Sequence, residues 1–198
     1  MTKEQAKAAA LRWLDEATGG GLALDEQTTA DLRERMDHLL DGAVAAVCGR
    51  FPQYMSFSKQ PQPEMGAAYA AVTLPQEMLT LTEIRLQLPD GQSLPFSDYS
   101  RAGRGVYSVP AAPGGVLVFN GIRAPRLPGV QAAETEELDV APEAAVLVPL
   151  RLAADVTAGV DETAAVSAFL SARYSELAAV LTRRPEPERA AVVCIYAQ

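Results

Sequence analysis

The sequence predicts an α+β protein: a small helical bundle with a β-sheet region inserted between the second and third helices. Three observations predict it. Apolar residues recur at helical spacing before about residue 50 and again after about residue 140. Between Tyr69 and about Val130 the pattern shifts to short alternating runs broken by Pro and Gly turns. No internal repeat is evident, and a length of 198 residues is expected to make one domain. Within it the bundle is expected over residues 1–52 and 140–184, the β-region over 69–131, and a C-terminal tail over 185–198.

The first helix is expected from Lys3 to Glu16, Ala-rich with Leu11 and Leu14 on it; Gly19, Gly20 and Gly21 stop it. Thr28 can cap the second helix, with Asp31 three residues on in a weak capping box. Leu32, Met36, Leu39, Ala43 and Val47 then repeat at helical spacing, and Phe51-Pro52 ends the helix. Gln53 to Glu64 is polar and proline-bearing, so a mobile connecting loop is expected.

In the β-rich zone, Leu79 to Leu88 holds the Ile84, Leu86, Leu88 alternation of a half-buried strand. Pro89-Asp90-Gly91 is a turn, because Pro presets φ and Gly accepts positive φ. Ser93 to Tyr99 returns as its partner, at an edge because of Pro95. Arg101 to Gly105 reads as the next turn. Val106–Val109 and Val116–Phe119 read as a hairpin around Pro113, Gly114 and Gly115.

Two helices close the bundle. Pro142 suits a first helical position, and Glu143 adds a negative charge where the helix dipole favours it. Ala145, Val148, Leu152 and Val156 give one small or apolar residue per turn, with a kink or a later start expected at Pro149. Gly159 ends that helix and Asp161 can cap the next. Val166, Phe169, Leu170, Leu177, Val180 and Leu181 form the final stripe. Leu32, Met36, Leu39, Leu152, Phe169 and Leu177 are therefore expected to share one core. The tail run Ala190–Tyr196 is apolar and β-prone without a sequential partner. It is expected to add to a sheet edge, its own or a neighbouring subunit's.

Composition bounds the function. The formal charge is −8, which argues against a protein that grips nucleic acid over a broad surface. It is compatible with one that surrounds DNA without holding it. The two cysteines, Cys48 and Cys194, are far apart and in no CxxC pair, so a reducing compartment fits and a disulfide framework does not. Lys3, Glu4 and Lys7 interrupt the start, so no signal peptide is expected. The longest uncharged stretch, Gly105 to Ile122, is broken by prolines and glycines, so no membrane span is expected.

Candidate chemistry is sparse. His38, the one histidine, has Glu34 and Asp41 at helical spacing and could serve as a base. A solvated helical histidine is the plainer reading, and no second His or Cys stands at metal-ligand spacing. Glu134, Glu136, Glu137 and Asp139 could pair as glycosidase carboxylates, but a charge run in a loop reads first as solvated. Cys48 beside Arg50 reads as a buried structural cysteine before a reactive thiol. Neither Gly19–Gly21 nor Gly103 and Gly105 sits in a phosphate-loop context, and no GxSxG elbow occurs. No catalytic, cofactor or metal residue is therefore assigned. The candidate contacts are four arginines. Arg101 and Arg104 read as a hairpin tip that touches DNA or an acidic neighbouring subunit, or as an ordinary charged turn; Arg123 and Arg126, among prolines, read the same way.

The order of elements and several strings resemble the head–tail connector (adaptor, head-completion) proteins of tailed phages and prophages. The strings are AVTLPQEMLTLTEIRL at 71–86, a strand entered through a Leu-Pro step, and LPDGQSLPF at 88–96, an Asp-Gly turn in a small β-region. ETEELDVAPEAAVLVPLRLAAD at 134–155 follows, an acidic loop leading to a proline-started helix, then AFLSARYSELAAVL at 168–181 with its aromatic and Y-x-E-L stretch. The resemblance runs from Leu24 to Leu181.

What the resemblance implies is a structural role and no enzyme activity. Such proteins form a ring, usually a dodecamer, beneath the portal of the filled head. They join head to tail and keep packaged DNA from leaking. The implied partners are further copies of the chain, the portal protein, tail or neck proteins and, transiently, the packaged DNA, with no cofactor and no membrane. The implied location is the host cytoplasm during assembly and then the virion. An acidic channel lining lets DNA slide instead of sticking, and a head-to-tail interface closes into a ring when its rotation permits. Two other classes stay open: a different neck or tail-completion protein, and a small ligand-binding domain or enzyme whose site the sequence does not display.

Overall fold

A computed structural model describes residues 1–20, 25–62, 66–158 and 163–182. The protein is α+β, with a β-region inserted between the second and third helices. Two compact units divide the chain: Met1–Phe51 with Leu127–Gln198, and Pro52–Arg126.

In the helical unit, α1 (Lys3–Thr18) starts at a capping box. The Thr2 hydroxyl accepts from the Gln5 N–H, and the Gln5 side chain accepts from the Thr2 N–H. It stops at Gly19, whose φ of 63° is the left-handed conformation glycine adopts without strain. The cap of α2 (Glu26–Arg50) is Asp25, not Thr28: the Asp25 carboxylate accepts from the Thr28 N–H at 2.7 Å. Asp at the cap also meets the positive end of the helix dipole, which a Thr three residues later would not.

A 3₁₀ turn at Pro142–Ala144 precedes α3 (Leu147–Thr157). The helix thus starts after Pro142 and takes Pro149 in its first turn, where the missing N–H has no intrahelical acceptor to lose. Nearly every α3 side chain is buried, which makes it the central helix of the unit. Arg151 and Asp155 are its polar exceptions, bonded to each other at 2.9 Å, with Arg151 lying over the Tyr174 ring.

The last helix, α4 (Ala164–Thr182), turns Leu170, Tyr174 and Ala178 inward. This corrects the expected six-residue core. Met36 and Leu152 are fully buried, and Leu32, Leu39 and Leu177 pack partly buried against them, but Phe169 is 57% exposed. Val180 is exposed as well. The cause is the composition of α4, whose alanines and apolar residues fall on every side. Its periodicity therefore does not single out the packed face.

In the β unit, β1 (Gln53–Lys59), β7 (Val116–Arg123), β3 (Met78–Gln87) and β4 (Ser93–Pro95) form an antiparallel sheet in the order β1-β7-β3-β4. A second sheet has the order β2-β6-β5, from β2 (Tyr69–Thr73), β6 (Val106–Pro110) and β5 (Ser100–Gly103). The expected mobile loop at 53–64 is therefore a strand over its first half. Met55 and Phe57 alternate with Tyr54, Ser56 and Ser58, so one face is apolar, and Phe57 stands opposite Phe119 of β7 with ring centroids 6.1 Å apart. The Pro89–Gly91 turn forms as expected, but the partner strand expected over Ser93 to Tyr99 is confined to Ser93–Pro95, because the proline ends its pairing with β3.

Two β-pairings differ from expectation. Val106–Val109 and Val116–Phe119 are not hairpin partners; they lie in different sheets. Residues 111–115 carry the chain from one sheet to the other, and the sequence offers no period that separates this from a hairpin. Arg101 lies in β5, so the turn is confined to Arg104 and Gly105. Val72 and Val109 from the second sheet meet Met78, Ile84, Leu117 and Phe119 from the first in a common core. On the outer face, Asn120 of β7 links its neighbours, accepting from Ser56 and donating to Glu83. Gly121 of β7 allows a close approach: a Cβ there would run into the Thr80 carbonyl and the Met78 side chain.

The expected tail strand Ala190–Tyr196 lies outside the described residues, as do Cys194, Gly21, Gly159, Asp161, Arg183 and Arg184.

Candidate functional site

Two charged clusters stand out, one in each unit. In the helical unit, Lys3 and Lys7 are only 2% and 3% exposed. They lie one turn apart on the same α1 face as Ala10 and Leu14, so the helix period carries them into the core. All three Lys3 ammonium protons have acceptors: the carbonyls of Val130 and Ala132 at 3.0 and 3.1 Å, and Asp37 of α2 at 2.9 Å. Lys7 bridges Asp37 at 2.9 Å and Glu134 at 2.6 Å. Partial burial pushes the Asp37 carboxyl up, but the hydrogen bonds and charges of Lys3 and Lys7 outweigh it and hold it below the ordinary carboxylate value.

The acidic run is therefore not simply solvated. Glu134 is ion-paired, and its backbone carbonyl and that of Glu136 accept from the Glu4 and Lys3 N–H groups. The run is strapped across the start of α1, where its negative charge meets the dipole. The sequence signal for this cluster is the pair of lysines on the apolar stripe of α1. With their protons engaged in this way, the two ammonium groups are holding α1, α2 and the loop at 130–134 together. They are not presented as nucleophiles.

In the β unit, Arg101 and Arg104 line one cleft of about 580 Å³ with Thr73, Leu74, Pro75, Gln76, Met78, Leu79, Leu81, Gly105 and Tyr107. Arg101 donates to the Gly103 carbonyl at 3.1 Å. The Arg104 side chain makes no hydrogen bond or ion pair among the described residues. Arg123 and Arg126 do not join this cleft. Arg123 ends β7 and donates across the sheet to the Gln53 side chain, and Arg126 also has a partner. The four candidate arginines thus separate into a pair at a cleft and two engaged elsewhere. A larger cleft of about 720 Å³, at Gln60, Leu88, Pro89 and residues 111–116, is lined by no ionisable side chain among the described residues.

His38 is exposed on α2. Cys48 is buried, with its Sγ 3.5 Å from the Asp139 carbonyl. Among the described residues, no three His, Cys, Asp or Glu side chains are grouped so as to hold a metal ion. One described helix, α4, is long and apolar enough to cross a membrane by length and composition. Its Leu170, Tyr174 and Ala178 are packed into the core of the helical unit.

The chain matches no protein-family model and no curated protein.

Proposed function

We propose that this chain is a structural protein of a tailed-phage or prophage particle, a head–tail connector that assembles as a ring around the DNA exit channel. The observation that supports the reading is the interrupted bundle. Two helices precede an antiparallel β unit, and an acidic loop followed by a proline-started helical segment resumes the bundle. This is the element order that the quoted strings resemble. In this reading the protein acts by assembly, in the host cytoplasm and then the virion. Its partners are further copies of itself, the portal, neck or tail proteins, and DNA in transit. Its acidity serves passage of DNA, because a net charge of −8 repels phosphate.

The test is disruption of the coding sequence in a strain that produces particles, with lysates viewed by electron microscopy. The expected result is filled or leaking heads separate from tails. Intact, infectious particles overturn the reading. A purified sample is also expected to bind duplex DNA weakly at physiological salt; tight, salt-sensitive binding counts against it.

A further inference from the structure

The charge of the chain is unevenly divided. Residues 52–126 carry six Lys and Arg against five Asp and Glu, whereas the rest of the chain carries eleven against twenty. The acidic excess belongs to the helical unit, and the β unit is near neutral with two arginines at one cleft. We propose that this cleft is a carboxylate-binding site that takes an acidic segment from the helical unit of a second copy of the chain. The inference rests on the connector reading only for its use of a second copy.

The geometry supplies two kinds of recognition side by side. Arg101 of β5 stands directly opposite Tyr107 of β6, and Tyr107 makes an edge contact with Tyr99 at 5.9 Å. The cross-strand pairing sets one guanidinium against an aromatic wall, and the Arg104-Gly105 turn brings the second to the same cleft. Among the described residues no Asp or Glu lines the cleft, and none of them competes for either fork. Leu74, Pro75, Met78 and Leu79 supply apolar wall, and Leu79 is 65% exposed. A bare inorganic anion would leave that wall in water. A carboxylate flanked by apolar side chains covers the wall and pairs with the arginines.

A nucleic acid backbone fits less well. Two cations at one cleft make few phosphate contacts, and the rest of the molecule repels the strand. The helical unit of a second copy has the complementary charge, and its side chains at Glu26, Asp31, Glu34 and Glu137 are exposed. The contact propagates head-to-tail when each copy engages two different neighbours, and closes as a dimer when both of its contacts fall on the same neighbour.

The test uses the full chain. Sedimentation velocity compares wild type with R101E/R104E and R101K/R104K, with folding checked by circular dichroism; both arginines are exposed, so all three are expected to fold. The expected result is self-association that weakens with salt, falls at least about tenfold in R101E/R104E and is partly kept in R101K/R104K. R101K/R104K, mixed from isotopically labelled and unlabelled copies, is then treated with a carbodiimide. This condenses an ε-amine with a carboxylate to an amide, releasing one water, which the carbodiimide takes up as a urea. Mass spectrometry is expected to find intermolecular links from the introduced lysines to carboxylates in residues 1–51 or 127–182.

Links only within one copy or only to the β unit overturn the proposal, as does unchanged assembly of R101E/R104E. If wild type assembles and R101E/R104E assembles alike, the cleft proposal fails while the connector reading stands. Cleft-mediated links in a species that stops at a dimer sink the ring instead. Loss of binding to a short DNA duplex in R101E/R104E, with sedimentation unchanged, reassigns the cleft to phosphate and also overturns the proposal.

Discussion

The two units use charge in opposite ways. In the helical unit the buried cations are spent inside: Lys3 and Lys7 are out of water and tie α1 to α2 and to the loop at 130–134. In the β unit Arg101 and Arg104 stand in solvent at a cleft that no carboxylate lines among the described residues. Their cores differ in the same sense. The helical core is larger and is organised around α3, which is buried on nearly every side, while the β core lies between two small sheets. The buried lysines are tied into the packing of their unit, whereas Arg101 and Arg104 stay accessible at the surface of theirs.

The largest expected break is in the helical core. Leu152→Ala, at a fully buried α3 position, is expected to cost about 2–5 kcal/mol in denaturant melts. Next is the ion cluster. Lys7→Ala leaves the Asp37 and Glu134 carboxylates short of a partner and is expected to cost about 1–3 kcal/mol. The same cluster gives a pH signature. The Asp37 value is depressed in the folded state, so its contribution is fully present above the unfolded carboxylate value near 3.8 and is lost as pH falls through the lower folded value. Melts between neutral pH and about pH 3 are expected to steepen at the acid end, and Asp37→Asn is expected to flatten that slope. An equal slope in wild type and Asp37→Asn would mean that the Asp37 charge contributes nothing to the acid limb.

In the β unit, Gly121→Ala is expected to destabilise by about 1–3 kcal/mol, because a Cβ meets the Thr80 backbone, which cannot swing aside. Smallest of all is Phe169→Ala. It removes an exposed ring from α4 and is expected to change stability by no more than about 0.5 kcal/mol. A cost near that of Leu152→Ala would show that the ring is covered in solution.

What the sequence displayed and what it concealed follow physical lines. The helices of the first zone were legible, because Met36, Ala43 and Val47 keep one face and Gly19 is a stop with a mechanism. The Pro89–Gly91 turn and the edge strand after it were legible for the same kind of reason. β1 was missed because its apolar members, Met55 and Phe57, are only two and sit among Ser, Gln and Lys. The pairing of β6 and β7 was misread because strand partners are set by tertiary packing, which leaves no local period. The inward face of α4 was hidden by its even apolar composition. Of the candidate contacts, the pairing of Arg101 with Arg104 was readable from spacing, but the cleft they share was not. Met78 and Tyr107 reach it from other strands, and Leu74 from the loop after β2. Lys3 and Lys7 were visible as charges, but their burial needed α2 and the acidic loop to be in place.

The interruption of the bundle also sets an order of events during synthesis. α1 and α2 touch each other little and pack chiefly on α3, which lies beyond the whole β unit in the chain. A nascent chain that has released α2 therefore lacks the main surface on which Met36, Leu40 and Val44 are buried. The β unit is one continuous stretch and holds its own core, so its completion does not have to wait for α3. By the time α3 emerges, the long excursion from Phe51 to Leu127 has become a folded insert, and the entropy of closing that loop has already been met by the sheets within it. Slowing translation after Arg126 would then prolong the stage at which the whole β unit has been made and α1 and α2 still await α3.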